Sequence, residues 1–158
     1  VVDVCCGTAY LYRGLLAGGT GSYVGLDFNG HFVMGARKRG VAVRLFDVLT
    51  DPIPSADYVV MCSSFYHVRS QEDRVLARLR AAARRAVIVS EPVRNLSTSL
   101  PGWAGRLAGA LTNPGGGEYT ARYDLDGFRE FAARNGASEI AHEVEQRNAV
   151  AVFPGSGC

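Results

Sequence analysis

Short apolar runs alternate along the chain with stretches in which apolar residues recur every three or four positions. The first run, VVDV at residues 1–4, is broken only by Asp3, as in a strand covered on both faces. A turn at Gly7 follows, then Leu11, Leu15 and Leu16 at helical spacing, and Gly18-Gly19 end that helix. Residues 22–27, SYVGLD, predict a second strand. Asn29 caps a helix carrying Phe32, Val33 and Ala36, which Gly40 ends. VAVRLFD, residues 41–47, predicts a third strand closing on Asp47, and DPIPSAD is a proline-punctuated loop. ADYVVMCSS, residues 56–64, predicts a fourth strand. Ser70 and Asp73 have capping-box spacing and open a helix with Val75, Leu76, Leu79 and Ala83 on one stripe. Arg84 and Arg85 fall near its C-terminal end, where the dipole favours cations. AVIVSEP, residues 86–92, predicts a fifth strand stopped by Pro92.

Residues 93–123 break this rhythm, with a short helix expected over 103–111 and a loop at NPGGGEY. Leu125, Phe128, Phe131 and Ala132 mark a further helix, ended by Asn135-Gly136. SEIAHEV and NAVAVFP predict two last strands, close enough to form an antiparallel hairpin. The series predicts an α/β fold: a doubly wound, mostly parallel sheet with helices on both faces and one reversed strand. At 158 residues, without an internal repeat or dividing linker, the chain reads as one domain.

Composition narrows the function classes. The sequence is 47% hydrophobic and 20% charged, ordinary for a globular protein. A net charge of +2 is too mild to expect nucleic acid as a partner. No apolar run approaches the roughly 20 residues that cross a bilayer, so no membrane partner is expected. The opening apolar stretch lacks a basic leader and does not read as a signal peptide. Cys5, Cys6, Cys62 and Cys158 show no CxxC spacing, and adjacent cysteines rarely pair. Neither a metal site nor a disulfide framework is expected, and a cytoplasmic location is.

In such sheets ligands sit at the C-terminal ends of the strands. The first turn, around Gly7, feeds a helix and leaves the backbone bare for a ligand. Asp27 follows Gly7 by 20 positions and closes the second strand, where an acid can take both hydroxyls of a ribose. Phe28 offers an apolar surface for a base, and Asp47 can accept from an exocyclic amine. Asp3, Asp27 and Asp47 around one crevice describe an adenosine site and repel a phosphate.

These stretches resemble the class I S-adenosylmethionine-dependent methyltransferases. DVCCGTA matches their first motif, with Asp3 and Gly7 kept, Cys5 at the first glycine and Ala9 at the last. YVGLDFN, VRLFDVLTDPIP, ADYVVMCSSFYHV and AVIVSEPVRN resemble the motifs that follow, in order and at the right spacings. The resemblance covers residues 1–95, and the late hairpin has its counterpart in residues 137–153. It implies a Rossmann-like, seven-stranded sheet and S-adenosylmethionine as cofactor. Cofactor contacts are implied for Asp3, Cys5 and Gly7 in the first motif and for Asp27 and Phe28 in the second. Asp47 and Val48 supply the third set, and Cys62 and Ser63 the fourth. Cys5 stands as a small side chain where the turn passes the methionine part, and Cys6 as a small core residue. The family also carries a helical segment ahead of its first strand, so this chain is expected to start just after one. Residues 93–123 lie where the family builds a substrate cover.

The expected activity is methyl transfer to an oxygen, nitrogen or carbon of a small molecule. His67 is the catalytic candidate, as a base of ordinary pKa near neutrality. Successive side chains of an extended segment point to opposite sides, so His67 and Tyr66 are not both expected at the site, and His67 is preferred because an imidazole takes up a proton near neutral pH. Glu91 closes the fifth strand beside the crevice, and Trp103, Tyr119 and Tyr123 either line the acceptor pocket or pack in the core. Cys62 has no evident base partner and is not read as a nucleophile. The main alternative is a non-catalytic adenosine-binding domain or degenerate methyltransferase subunit, left open by Cys5 and Ala9. A nicotinamide-dependent oxidoreductase fits less well, since only Gly7 falls in the register of G-x-G-x-x-G.

Overall fold

The computed structural model describes residues 1–19, 21–93, 122–142 and 147–157. Seven strands form one sheet: β1 (Val2–Val4), β2 (Val24–Asp27), β3 (Val43–Leu45), β4 (Ala56–Cys62), β5 (Ala83–Pro92), β6 (Glu139–Ala141) and β7 (Asn148–Pro154). Their spatial order is β3-β2-β1-β4-β5-β7-β6. Neighbours from β3 to β5 are parallel, whereas β7 runs antiparallel to both β5 and β6. Among the described strands β7 is thus the one that is reversed, and the β6–β7 pair is antiparallel as expected. The order changes direction at β1, which opens a crevice above the C-terminal ends of β1, β2 and β4.

Strand alternation sends the core to both faces. Val2, Val4, Val24 and Leu26 face the main cluster, which α2 (Glu72–Ala82) fills with Val75, Leu76 and Leu79. To the same cluster α3 (Leu125–Arg134) adds Phe128, Phe131 and Ala132. Gly25 faces the other way, toward a smaller cluster in which α1 (Gly30–Arg37) packs Val33 and Ala36 with Ala9, Val41 and Val43. Asn29 caps α1 by accepting from the His31 N–H at 2.9 Å, and Asp124 caps α3 by accepting from Gly127 at 2.8 Å. A Cβ at Gly25 would stand 2.7 Å from Cys6 Sγ and 3.1 Å from both Tyr23 Oη and a Val43 methyl. Gly25→Ala is therefore expected to destabilise the fold by about 1–3 kcal/mol, as overpacking does, read as a lower urea midpoint. An unchanged midpoint would show that Cys6 and Tyr23 move aside freely.

Three local expectations are corrected. The first helix is a wide turn, Tyr12–Leu16, in which the Ala17 N–H reaches the Tyr12 carbonyl at 2.7 Å. That i to i+5 bond breaks the three–four spacing, and Leu15 is 77% exposed rather than packed. Ser70 does not cap a helix. It lies inside a 3-10 segment, Phe65–Gln71, and α2 starts at Glu72 without a side-chain cap bond. Finally, α2 stops at Ala82, and Ala83, Arg84 and Arg85 belong to β5. The carbonyls of Ala83, Arg84 and Arg85 accept from Ser156, Gly157 and Gly155, so sheet pairing takes over from the helix. The helix expected over 103–111 lies outside the described residues.

Candidate cofactor and acceptor site

Three residues of the first turn have left-handed backbones: Cys5 (φ 56), Gly7 (φ 53) and Ala9 (φ 56). Glycine adopts this region freely, whereas other residues lose about 1–2 kcal/mol there. The turn keeps its shape although two of the three are not glycine. The Cys6 N–H holds the Leu26 carbonyl at 3.1 Å, and the Gly7 N–H donates to Asp27 Oδ2 at 2.7 Å. The other oxygen, Asp27 Oδ1, accepts from the Asn29 N–H at 2.9 Å. Asp27 thus ties the turn after β1 to the turn after β2. An ionised carboxylate has about four acceptor positions, and these bonds use two of them. The remaining pair suits the two hydroxyls of a ribose.

Asp3 is 2% exposed and accepts from Tyr23 Oη at 2.8 Å. Burial pushes its carboxyl up to about 6, against the bond from Tyr23, and the charge of Asp27 adds to the rise. Burial also raises the Cys6 and Cys62 thiols to about 12 and Cys5 beyond that, so none is a thiolate near neutrality. Cys6 packs against the smaller core cluster, as expected. The negative potential of Asp3 and Asp27, which disfavours thiolates and phosphates, favours a cation.

Phe28 is 53% exposed, so its side chain is accessible to a ligand. Asp47 is exposed, and its Oδ1 accepts from the Leu49 N–H at 2.8 Å, which leaves the second oxygen open. Val48 has its side chain in the main core, so only its backbone is left to meet a ligand.

At the end of β4, Ser63 also has a left-handed backbone (φ 55), and its N–H donates to the Ser90 carbonyl at 2.6 Å. Ser64 Oγ donates to the Cys62 carbonyl at 3.1 Å and reaches that of Cys5 at 3.4 Å. Glu91 is fully buried, with Oε1 accepting from the Phe65 N–H at 2.7 Å and Oε2 without a partner. Burial raises its carboxyl to about 7, against the backbone bonds from Phe65, Tyr66 and Ser64. It therefore heads the 3-10 segment that carries Tyr66 and His67.

Tyr66 and His67 do not point to opposite sides. Their rings lie 4.0 Å apart, because the chain here is helical rather than extended. His67 Nδ1 is buried without a hydrogen-bond partner. Burial, and then the charge of Arg122, hold the imidazole below its usual pKa. Tyr123 packs in the main core and donates to Glu72, whereas Trp103 and Tyr119 lie outside the described residues. Tyr23, Arg122 and Asn148 were not anticipated from the sequence. Asn148 Nδ2 bridges Ser63 Oγ at 3.4 Å and Ser90 Oγ at 3.3 Å, a contact only the reversed strand brings about.

A switch-point crevice in which Asp27 is tied to the first turn, without a G-x-G-x-x-G phosphate cradle, fits a nucleoside-binding α/β domain. The profile of a family described as Methyltransferase domain matches residues 1–86. The chain belongs to this family, that of the class I S-adenosylmethionine-dependent methyltransferases, and its cofactor is S-adenosylmethionine. No curated protein sequence matches it. Among solved structures it is similar to magnesium protoporphyrin IX methyltransferase from Synechocystis with bound S-adenosylhomocysteine. That match has 15% identity, covers 98% of this chain and 73% of that one, and has a TM-score of 0.66. A methyltransferase from Thermotoga maritima matches at 16% identity over 97% of this chain and 80% of its own, with a TM-score of 0.66. A complex of the Haloferax volcanii Trm112 activator with a methyltransferase matches at 15% identity over 97% of this chain and 80% of that one, with a TM-score of 0.68. At these identities the structures share the fold.

Proposed function

We propose that this chain transfers a methyl group to a small-molecule acceptor, with His67 removing a proton where the acceptor atom is a hydroxyl. The observation that carries the reading is the Asp27 clasp, which shapes the first turn and keeps two acceptor positions free. S-adenosylmethionine, when bound, supplies a methyl group already activated on a sulfonium. Asp27 would hold its ribose, Phe28 would cover its base, and the open oxygen of Asp47 would take its amine. Asp3 and Glu91 set the electrostatics for its positive charge. Cys5, Gly7, Cys62 and Ser63 line the approach to the methionine part, where inert thiols present no competing nucleophile. The main task of the protein is then alignment and the exclusion of water. Residues 93–123 act as the substrate cover of a single domain, and the free thiols of Cys5, Cys6 and Cys62 suit a reducing cytoplasm. Cys5 and Ala9 weaken the case for a degenerate subunit, because both keep the left-handed turn that glycines would make.

Calorimetry tests the cofactor part. S-adenosylhomocysteine should bind and NADP should not. Asp27→Asn, which keeps one oxygen, should weaken binding about tenfold, as losing a charge-assisted bond does. Tight NADP binding without a response to S-adenosylhomocysteine would end the reading.

A further inference from the structure

We infer that the acceptor carries an anionic group, a carboxylate in its simplest form, and that Arg122 binds it over the Tyr66–His67 pair. This rests on the methyl-transfer reading above and adds the substrate class. The Arg122 Cζ lies 4.5 Å from the centre of the Tyr66 ring, and Nη2 lies 3.4 Å from Tyr66 Oη. A guanidinium has five donors in a planar fork that matches a carboxylate, and among the described residues one long bond to a neutral phenol leaves that fork largely unmet. Among the described residues no carboxylate stands within 4.0 Å of it; the ion pairs there are made by Arg69, Arg84, Arg129 and Arg134. Among the described residues Glu91 is an acid whose field reaches Arg122, but it is fully buried and turned to the Phe65 N–H.

The position matters as much as the charge. Arg122 covers Tyr66, and the Tyr66 ring lies 4.0 Å from that of His67. A second cation, Arg147, precedes β7 with its carbonyl on the Val93 N–H at 3.0 Å, and its charge is felt at Tyr66. Asn148, the next residue, reaches Ser63 on the cofactor side. The crevice is therefore acidic at Asp3 and Asp27 and cationic beyond His67. An anionic acceptor is drawn to the second half and kept off the first. Bound at Arg122, its charge also offsets the cation that holds down the basicity of His67.

Benzoate and its uncharged isostere benzamide provide the test, added to the full chain with S-adenosylhomocysteine and followed through the imidazole NMR signals. Benzoate should shift the His67 signal and raise its pKa, with apparent affinity about tenfold or more above benzamide. In Arg122→Gln the His67 pKa should already be higher, and the preference for benzoate should vanish. Arg122→Lys should restore part of it. A thermal midpoint matching that of the parent protein excludes misfolding of the variants. Equal responses to the two probes, no response of His67 to benzoate, or a preference that survives Arg122→Gln would overturn the inference. If S-adenosylhomocysteine fails to bind, the cofactor reading fails, while the benzoate preference is still measured on the free chain.

Discussion

His67→Ala should lower the rate of methyl transfer to a hydroxyl acceptor roughly 10²–10⁴-fold, the usual size of general-base assistance. Two features of the structure favour this outcome. The imidazole is held below its ordinary pKa by burial and Arg122, so it is neutral and ready to accept a proton at pH 7. Its Nδ1 makes no hydrogen bond, so the ring is not committed to a structural partner through that atom. The acidic limb of the pH–rate profile should lie below pH 6.5, the ordinary value, and should be absent in the variant. Affinity for S-adenosylhomocysteine should not change, because Asp27 and the first turn lie elsewhere. A depressed imidazole pKa also means that the unfolded chain binds the extra proton. Its contribution to stability is therefore present above the unfolded pKa and lost as pH falls below it. If His67→Ala keeps its rate and loses only thermal stability, the histidine is structural.

Asp3→Asn should do the opposite to stability. Burial raises the Asp3 carboxyl from 3.8 to about 6, so its ionised form opposes folding at neutral pH. That rise is equivalent to about 3 kcal/mol at 1.36 kcal/mol per pH unit. A raised carboxyl favours the fold below its unfolded pKa, and this contribution is lost as pH rises through about 6. The amide keeps an oxygen for the Tyr23 hydroxyl and carries no charge. At pH 8 the variant should melt about 6–12 °C above the parent, given about 2–4 °C per kcal/mol for a chain of this size. At pH 3 the gap should close. Binding should move the other way: affinity for S-adenosylmethionine should fall, and that for the uncharged thioether S-adenosylhomocysteine should fall less. Equal melting of both proteins from pH 3 to pH 8 would show that the carboxylate is solvated rather than buried. The expected trade of stability for function is what a charge placed for a cationic ligand entails.

Much of the architecture was legible because its signals are local. Five apolar runs marked β1 to β5, Asn29 and Gly40 bounded α1, and Gly136 ended α3, since caps and left-handed glycines act within one turn. The reversed β7 followed from the short span between the last two runs. What failed was also local, and long-range pairing overrode it. Arg84 and Arg85 have good helix propensity, yet Gly155 and Gly157 draw their carbonyls into pairing beyond the end of β7. Ser70 has capping-box spacing, yet the backbone bonds at Glu91 hold the preceding residues in a 3-10 segment.

The sequence by itself determined the sheet class, the acid that follows Gly7 by 20 positions, and the family. Only the tertiary structure decided how these parts act on one another. It joined Asp27 to Gly7, Tyr23 to Asp3, Glu91 to Phe65, and Arg122 to Tyr66. Partners such as Arg122 and Tyr66, 56 residues apart, leave no periodic mark on the chain. The physical reason is that charge and desolvation depend on what lies nearby in space. A carboxyl reads the same in sequence whether it is solvated, as at Asp47, or buried and pushed up to about 7, as at Glu91.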